Sequence, residues 1–326
     1  MNIIFDGNYL YHKTFSIFAT YYNNEDLVEV LSDKEKQQIL IRKCVTDMCF
    51  ALSKFSNIDK VIFVFDSKSW RYNYYDDYKY SLTKVRQPYY QSFLNVMSMF
   101  ETLLMKKGII VSKVQGAEGD DLIYIWSLYF TEVVQEQAVV ISGDSDLRQI
   151  INQNVSIFNN NSKNLKMFCD EYNEETWNCY LDTNIEVVPV NPVEVLLFKV
   201  IMGDTSDNIP KLKKGFGEKA FQNFIKEISP LKKSVLESHD LVSVSQWILS
   251  KFSVYAKMDE VELLGKIIFN LKMTWLNISV YQDGDYITYD GRSLLENMLN
   301  NVLEQKDKYS YNKKYTLEQF YGLLIQ

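Results

Sequence analysis

Short apolar runs alternate with longer stretches of helical periodicity along the first half of the chain. Apolar residues recur at helical spacing over about 30–56 and 88–107. Strands that alternate with helices predict an α/β protein, with a central, mostly parallel sheet flanked by helices. The strand-like runs are NIIF (2–5), VIFVF (61–65), GIIV (108–111) and AVVIS (138–142).

The second half begins with a different pattern. VSIF (155–158) and LKMF (165–168) flank the polar segment NNNSKN, which predicts a hairpin. PVEVLLFKVIMG (192–203) is apolar at helical spacing, and the chain from about 226 onward is mostly amphipathic and helical. The sequence therefore predicts a helical region after the sheet.

Acidic residues cluster where the predicted strands and the helix 192–203 end. In parallel sheets ligands bind beyond the carboxyl ends of the strands, so we expect these acids to converge. Carboxylates held close together cannot all stay ionised without cations among them, and oxygen-only ligands suit Mg²⁺ or Mn²⁺. Two such ions could activate a water and stabilise the leaving oxygen of a phosphodiester. The nine acids are Asp6, Asp66, Glu118, Asp120, Asp121, Asp144, Asp146, Asp204 and Asp207.

Each acid taken alone has a simpler interpretation. An aspartate at the start of a helix is often an N-cap, and Asp121 could favour a helix N-terminus through the helix dipole. Capping needs one acid per helix, however, and the segments GAEGDD, GDSD and GDTSD each carry at least two. The doubled acids favour cation binding for the cluster as a whole.

Two further segments combine basic residues with aromatic residues or glycine. SKSWRYNYYDDYKYSLTKVRQ (67–87) either stacks single-stranded bases on its aromatics or forms an amphipathic surface helix with half-buried tyrosines. GFGEK (215–219) either lets backbone N–H groups approach a phosphate or is a glycine helix cap beside solvated lysines. Both alternatives stay open at this stage.

Composition and charge exclude several other classes. The 326 residues contain two histidines and four scattered cysteines without a CxxC pair, which argues against a histidine-based nucleophile relay and a zinc site. No apolar run approaches the roughly 20 residues of a membrane span, and the N-terminus MNIIFDGN lacks a basic region, so neither a span nor a signal peptide is expected. The net charge of −7 argues weakly against a nucleic-acid partner, unless the acids are concentrated in one metal site.

Four motifs in a fixed order resemble the 5′-nuclease, or flap endonuclease, family. The resemblance covers about 1–225 and implies a PIN-like 5′-nuclease core at 1–190 with a helical arch at about 68–95. It also implies a C-terminal helical region at 191–326, with a DNA-binding helix–hairpin–helix-like motif at about 203–225. The motifs are AEGDD (117–121), SGDSDLRQI (142–150), GDTSDNIP (203–210) and GFGEKA (215–220).

The resemblance also assigns roles to single residues. It implies a tighter metal site at Asp6, Asp66, Glu118, Asp120 and Asp144, and a second towards Asp121, Asp146, Asp204 and Asp207. Arg71 and Lys79 would be catalytic, with Tyr78 beside them. Lys84 or Arg86 would replace an arginine that the family usually has near Leu82. The residues expected to clamp duplex DNA are Lys211, Lys213, Lys214, Gly215, Gly217 and Lys219.

The implied activity is structure-specific 5′-3′ cleavage near the 5′ ends of DNA flaps and of RNA primers in RNA·DNA hybrids. It would serve DNA replication or repair and use two Mg²⁺ ions, with Mn²⁺ as a substitute. Size and the absence of a fused polymerase resemble the free-standing phage kind, which includes ribonuclease H activity. We expect a cytoplasmic monomer, in the host cytoplasm if phage-encoded, that acts on branched or nicked DNA.

Other hypotheses about the function fit the sequence less well than a nuclease. An inactive relative that only binds branched DNA as a scaffold would gain nothing from the intact acids. A haloacid-dehalogenase-type phosphatase would need DxD after the first strand, where the chain has Asp6-Gly7-Asn8. The tail YTLEQFYGLL (315–324) resembles sliding-clamp peptides, but a last helix packed on the body is favoured. A single-strand-binding protein is a candidate partner by analogy with phage replication.

Overall fold

The structure is a computed structural model that describes residues 1–22, 26–79, 87–161, 165–171, 184–231, 240–281 and 293–308. Within these ranges the strands form one sheet in the order β3-β2-β1-β4-β5-β6-β7. Neighbouring strands pair in parallel except β5 with β6, which are antiparallel. The strands are β1 (Asn2–Asp6), β2 (Lys60–Val64), β3 (Ile110–Ser112), β4 (Ala138–Ile141), β5 (Val155–Asn159), β6 (Lys166–Asp170) and β7 (Glu186–Val190).

Helices fill the segments between the strands and most of the described C-terminal region. A π-helix, Tyr129–Val134, continues α6, and a short 3-10 helix, Asp146–Ile150, follows β4. The α-helices are α1 (Gly7–Ala19), α2 (Leu27–Val30), α3 (Lys34–Leu52), α4 (Arg71–Tyr74), α5 (Tyr90–Lys106), α6 (Gly119–Leu128), α7 (Pro192–Met202), α8 (Glu218–Ile228), α9 (Leu241–Ala256), α10 (Glu260–Thr274), α11 (Ile278–Tyr281) and α12 (Leu294–Lys308).

The sheet is buried on both faces, which explains why its strands are almost wholly apolar. Successive side chains of a strand point to opposite faces, so Ile3 and Phe5 enter one apolar core while Ile4 enters the other. The first core is built with α1, α3 and α5, and the second with α6 and the C-terminal helices. The mostly parallel sheet flanked by helices is therefore confirmed.

The C-terminal helices share a continuous apolar core with the sheet. Phe252 of α9, Leu271 of α10 and Met298 of α12 belong to the same buried cluster as Ile4 of β1. At the edge of the sheet, α12 also packs against β3. The apolar core runs across the predicted domain boundary at 190/191, and this boundary stays a prediction.

Local signals explain several element boundaries. Asn191 caps α7 by accepting a hydrogen bond from the N–H of Val193, and Pro192 occupies the first turn, where its missing N–H costs nothing. The hairpin at 155–168 is confirmed by the antiparallel pairing of β5 and β6. The helix expected over about 30–56 is present as α3, and the short α2 precedes it.

Two expectations extend past the described residues. The predicted arch includes α4 and the start of α5, but residues 80–86 lie outside the described ranges, and the arch stays a prediction. The segment 315–324 lies outside them as well. Among the described residues, no helix has both the length and the hydropathy that a bilayer span requires.

Candidate active site

Asp6 ends β1 and at the same time caps α1. Its Oδ1 accepts a hydrogen bond from the N–H of Tyr9 at 2.8 Å, and its Oδ2 accepts one from the hydroxyl of Ser142 at 2.8 Å. Burial, together with repulsion by the carboxylates of Asp66 and Asp144, raises the pKa of Asp6 to about 7. The capping interpretation is thus correct for Asp6. Capping alone does not explain why its carboxylate lies where the carboxylates of Asp66 and Asp144 repel it.

Asp66 lies just beyond the end of β2, against the first residue of α6. Its Oδ1 accepts a hydrogen bond from the N–H of Gly119 at 2.6 Å, and its own N–H donates to Oδ1 of Asn8 at 2.9 Å. A Cβ atom at Gly119 would lie 2.8 Å from that Oδ1. The glycine in AEGDD therefore lets the start of α6 approach the carboxylate of Asp66.

Asp120 is the acid on which the repulsion is concentrated. Burial raises its pKa well above the ordinary value, and the carboxylates of Asp144, Asp6 and Asp66 raise it further. The four carboxylates come from the ends of β1, β2 and β4 and from the first turn of α6. The structure therefore brings the predicted strand-end acids together at one edge of the sheet.

A second group of acids is held by a lysine. The ammonium of Lys199 lies 2.6 Å from Oδ1 of Asp146 and 2.5 Å from Oδ2 of Asp204. Burial opposes the charge of Asp204, but hydrogen bonds from Lys199 and Ser206 outweigh it and lower its pKa to about 2. The pKa of Asp146 is about 6, because burial and repulsion by Asp144 outweigh the contribution of Lys199.

Glu118 is surrounded by donors from the base of the predicted arch. Its Oε2 accepts hydrogen bonds from Arg71 Nη1 at 2.9 Å and from the Tyr78 hydroxyl at 2.8 Å, and Lys79 Nζ contacts Oε1. Burial opposes ionisation, but Arg71 and Lys79 lower the pKa of Glu118 to about 2. The hydroxyl oxygen of Tyr78 also lies 3.3 Å from Oδ2 of Asp207, so the two predicted metal groups meet here.

Asp121 is the predicted ligand that the structure does not bring into the cleft. It is fully buried, and Arg71, the hydroxyl of Tyr281 and the N–H of Glu118 all donate to its carboxylate. Direct contact with a cation would require Arg71 or Tyr281 to leave. In this arrangement Asp121 positions Arg71 and Glu118, and its role as a metal ligand stays a prediction.

Six of the other acids line a cavity of about 220 Å³ together with Lys79 and Lys199, whereas Asp6 and Asp66 lie outside its lining. Its lining includes Glu118, Asp120, Asp144, Asp146, Asp204 and Asp207. Among the described residues, no three acidic, cysteine or histidine side chains already have the spacing of a metal site. The all-oxygen donor set and the mutual repulsion of Asp6, Asp66, Asp120 and Asp144 fit a hard divalent cation. Lys199 and Lys79 balance the charge of the other acids.

Several residues of the cleft were missed at the level of sequence. Lys199 was visible only as a single basic residue within the apolar helix 192–203. Gln149 accepts a hydrogen bond from the N–H of Leu276 at 2.9 Å and donates to the carbonyl of Thr274 at 3.0 Å. Met273 also lines the cleft. No sequence signal indicated that the end of α10 would form one wall of the site.

The predicted nucleic-acid contacts are only partly exposed. Tyr78 is 2% exposed and faces the acids through its hydroxyl, which at this position favours the buried-tyrosine alternative over base stacking. Lys213 donates to the carbonyl of Tyr255 and points towards α9 rather than to solvent. Lys84 and Arg86 lie outside the described residues. Exposed on the loop and the start of α8 are Lys211, Lys214, Gly215, Gly217 and Lys219.

The loop between α7 and α8 supports close approach from outside. Gly215 has a φ of +81°, a left-handed conformation that favours glycine, and a Cβ at Gly215 or Gly217 would meet nothing within 4 Å. Gly217 is the N-cap residue of α8. The helix–loop–helix arrangement is present, and its contact with DNA stays a prediction.

Carboxylates and lysines line a cleft at the carboxyl edge of the parallel sheet. This arrangement is typical of hydrolases that cleave phosphodiesters with the help of metal ions. The chain belongs to the 5′-3′ exonuclease family, because the family model described as "5'-3' exonuclease, N-terminal resolvase-like domain" matches residues 1–178. The family confirms the resemblance seen in the motifs. The protein is accordingly a nuclease, and family membership gives no support to the inactive alternative.

Curated relatives agree with this assignment, and solved structures share the fold. A 5′-3′ exonuclease of Mycoplasmopsis pulmonis is 26% identical over 323 residues, 98% of this chain and 93% of the relative. The flap endonuclease Xni of Pseudoalteromonas translucida is 25% identical over 66% of this chain and 82% of the relative. The fold is similar to a phage T5 5′-exonuclease with bound zinc, with a TM-score of 0.58, 18% identity, and 94% and 100% of the two chains covered.

Proposed function

We propose that this nuclease cleaves phosphodiesters near the 5′ ends of DNA flaps and of RNA primers in RNA·DNA hybrids, during DNA replication or repair. The names of its relatives, which include 5′-3′ exonucleases, a flap endonuclease and DNA polymerase I, support this substrate class. The observation that carries the chemistry is the set of four carboxylates that repel one another at the strand ends. A bound cation would relieve this repulsion and keep the carboxylates ionised.

We propose Mg²⁺ as this cation, with Mn²⁺ as a substitute. Asp6, Asp66, Asp120 and Asp144, with Glu118 beside them, would hold the first ion. A second ion would lie towards Asp146, Asp204 and Asp207. When bound, such ions stabilise the negative charge that develops on the oxygens of the phosphodiester.

Lys79 has the freedom to touch the substrate. Its side chain is 34% exposed, and its ammonium contacts the carboxylate of Glu118 at the mouth of the cleft. A phosphate that enters would compete with Glu118 for the same ammonium. Lys79 would then orient the scissile phosphate and hold its negative charge against the acids.

Arg71 acts through other residues and is therefore a positioning residue. Its guanidinium is 3% exposed and donates to Glu118, Asp121 and the carbonyl of Met273. These contacts fix the carboxylate of Glu118 and the start of α6. Arg71 lines the cleft, but two carboxylates and a carbonyl occupy its donors, so we propose a positioning role for it in place of a catalytic one.

Duplex DNA would lie against the loop between α7 and α8. Lys211, Lys214 and Lys219 are exposed there, and the open surface of Gly215 and Gly217 admits a phosphate to the backbone. Contacts of this kind read the backbone without regard to base sequence. Action as a monomer, in the cytoplasm, and with a single-strand-binding protein or sliding clamp remain predictions, as does phage origin.

The test uses a 5′-flap duplex and a 5′-RNA-primed hybrid, each labelled at either end in turn. The full chain is incubated with Mg²⁺, Ca²⁺ or chelator, beside Asp144→Asn and the surface variant Asp240→Asn, an exposed helix cap that serves as a control. We expect cleavage from the 5′ side with Mg²⁺ that only Asp144→Asn abolishes. Cleavage in chelator, or none with Mg²⁺ or Mn²⁺, would refute the proposal.

A further inference from the structure

A second cavity, of about 410 Å³, adjoins the acidic cleft. Ser145 and Lys199 line both cavities, so the two are neighbours across one wall. The volume lies within the range of about 300–1,000 Å³ that is usual for small-molecule pockets. The second cavity is hereafter called the side pocket, and its lining includes Arg148, Asn191, Glu194, Phe198, Phe221 and Gln222.

Arg148 brings a guanidinium to the lining of the side pocket. Its guanidinium lies over the ring of Phe168, 3.8 Å from the ring centroid, which fixes its position. Its Nε is buried, and the described part of the chain offers that atom no hydrogen-bond partner. Because Nε is closed to solvent, an acceptor oxygen in the side pocket would approach the terminal nitrogens of the guanidinium rather than Nε. A phosphate suits a guanidinium best, because it accepts two hydrogen bonds in the planar geometry.

The walls of the side pocket are apolar and aromatic. Phe198 is half-buried and packs edge-on against Phe221, with 5.1 Å between the ring centroids. Val190 and Val195 contribute further apolar surface. A nucleobase gains free energy by packing on such side chains, whichever base it is. A guanidinium beside an aromatic wall therefore matches the two ends of a nucleotide.

Glu194 limits how much negative charge the side pocket accepts. Its carboxylate belongs to the lining, and Glu171 lies close enough to repel it. Lys199 does not offset this charge, because its ammonium is engaged by Asp146 and Asp204. The carboxylates of Asp144 and Asp146 also attract the guanidinium of Arg148, so the side pocket has little net positive charge, which favours a single phosphate over a di- or triphosphate.

We propose that the side pocket binds one nucleoside monophosphate unit, with its phosphate at Arg148 and its base along Phe198. The unit is either a free mononucleotide or the nucleotide next to the phosphodiester in the cleft. The second source rests on the proposed function, because only a nuclease substrate would place a strand across both cavities. Ser145 and Lys199 would separate the two phosphates.

The first measurement is direct binding to the full chain in chelator, where cleavage is absent. Deoxythymidine 5′-monophosphate, thymidine and inorganic phosphate are titrated separately by calorimetry. We expect the monophosphate to bind and each fragment to bind at least about tenfold more weakly, since each makes only one of the two contacts. No binding of the monophosphate with a Kd below about 10 mM, or equal binding of thymidine, would overturn the proposal.

Two variants locate the binding site. Arg148→Gln should weaken monophosphate binding about tenfold or more, whereas Arg42→Gln, the same change at an exposed position of α3, should leave it unchanged. Phe198→Leu should weaken the monophosphate but leave inorganic phosphate unaffected, and thermal unfolding confirms that each variant is folded. Unchanged monophosphate binding in both Arg148→Gln and Phe198→Leu would place the ligand elsewhere and reject the side pocket.

A last arm separates the two sources. A 5′-phosphorylated trinucleotide in chelator should displace the bound monophosphate if the side pocket holds a strand, and should not if it holds only the free mononucleotide. If the protein binds the monophosphate but does not cleave DNA, the side-pocket proposal is supported and the proposed function is rejected. Cleavage with no nucleotide binding in the side pocket would do the reverse.

Discussion

The guanidinium of Arg71 and the carboxylate of Asp121 form a buried ion pair joined by two hydrogen bonds. Nη1 lies 3.1 Å from Oδ2 and Nη2 lies 2.9 Å from Oδ1. Through Nε, the same guanidinium donates to the carbonyl of Met273 at the end of α10. One side chain thus connects the base of the predicted arch, the start of α6 and the C-terminal helices.

Arg71→Gln should destabilise the folded protein strongly. The change leaves the carboxylate of Asp121 buried without its charge partner, which costs about 3–5 kcal/mol in the free energy of unfolding. Urea denaturation measures this difference. The matched control Arg42→Gln, at an exposed position of α3, should change the free energy by less than about 0.5 kcal/mol. A loss below about 1 kcal/mol at Arg71 would contradict the structural role given to the ion pair.

Without divalent cations, the free energy of unfolding should fall as the pH rises from 3.8 to about 7, because of Asp6. The pKa of Asp6 is raised in the folded protein, so in this window the folded state holds a proton that the unfolded state has lost. Stability is therefore lost as the pH rises through the window. Asp146, with a pKa of about 6, acts in the same direction.

Urea unfolding in chelator at two pH values, 5 and 7, tests this on wild type and Asp6→Asn. We expect the variant to lose less stability than wild type over that interval, and added Mg²⁺ to reduce the loss in wild type. Identical pH dependence of the two proteins would show that Asp6 is not repelled. Glu118 and Asp204 affect the free energy of unfolding in the opposite direction. Their pKa values are lowered to about 2 in the folded protein, so the stability they contribute is lost only in stronger acid.

Gly119→Ala should impair cleavage without destabilising the fold. The new Cβ would lie 2.8 Å from Oδ1 of Asp66 and displace a proposed metal ligand, although alanine is favoured over glycine in a helix. Cleavage rate and thermal unfolding are measured together. Gly265→Ala in α10 is the matched control, because a Cβ there meets nothing within 4 Å. It should add up to about 1 kcal/mol of stability and leave cleavage unchanged.

Lys199→Met should destabilise the cation-free protein by about 1–3 kcal/mol, because Asp146 and Asp204 lose the ammonium between them. Added Mg²⁺ should close most of the deficit if an ion can replace that charge. The control Lys166→Met removes an exposed ion pair with Glu186 on the sheet edge and should show no response to Mg²⁺. If Mg²⁺ does not reduce the loss of stability in Lys199→Met, the result would argue against a second ion near these acids.

The local pattern of apolar and acidic residues was enough to predict the sheet and where most of the acids lie in it. Apolar runs followed by aspartate place Asp6, Asp66 and Asp144 at the carboxyl ends of parallel strands, and those ends necessarily share one edge. The doubled acids are likewise visible in the sequence, whereas the contact of Asp66 with the N–H of Gly119 became apparent only in the structure. Secondary structure and chain connectivity are short-range properties that the sequence encodes directly.

The tertiary structure alone decided which of the acids are free and which are paired. Asp120 and Asp121 are neighbours in sequence, yet one faces the cleft and the other is buried against Arg71 and Tyr281. Tyr281 lies 160 residues from Asp121 along the chain, and no periodicity relates them. Whether a carboxylate meets a cation, a lysine or a tyrosine depends on how distant helices pack, and that packing is set by the apolar core rather than by the acids themselves.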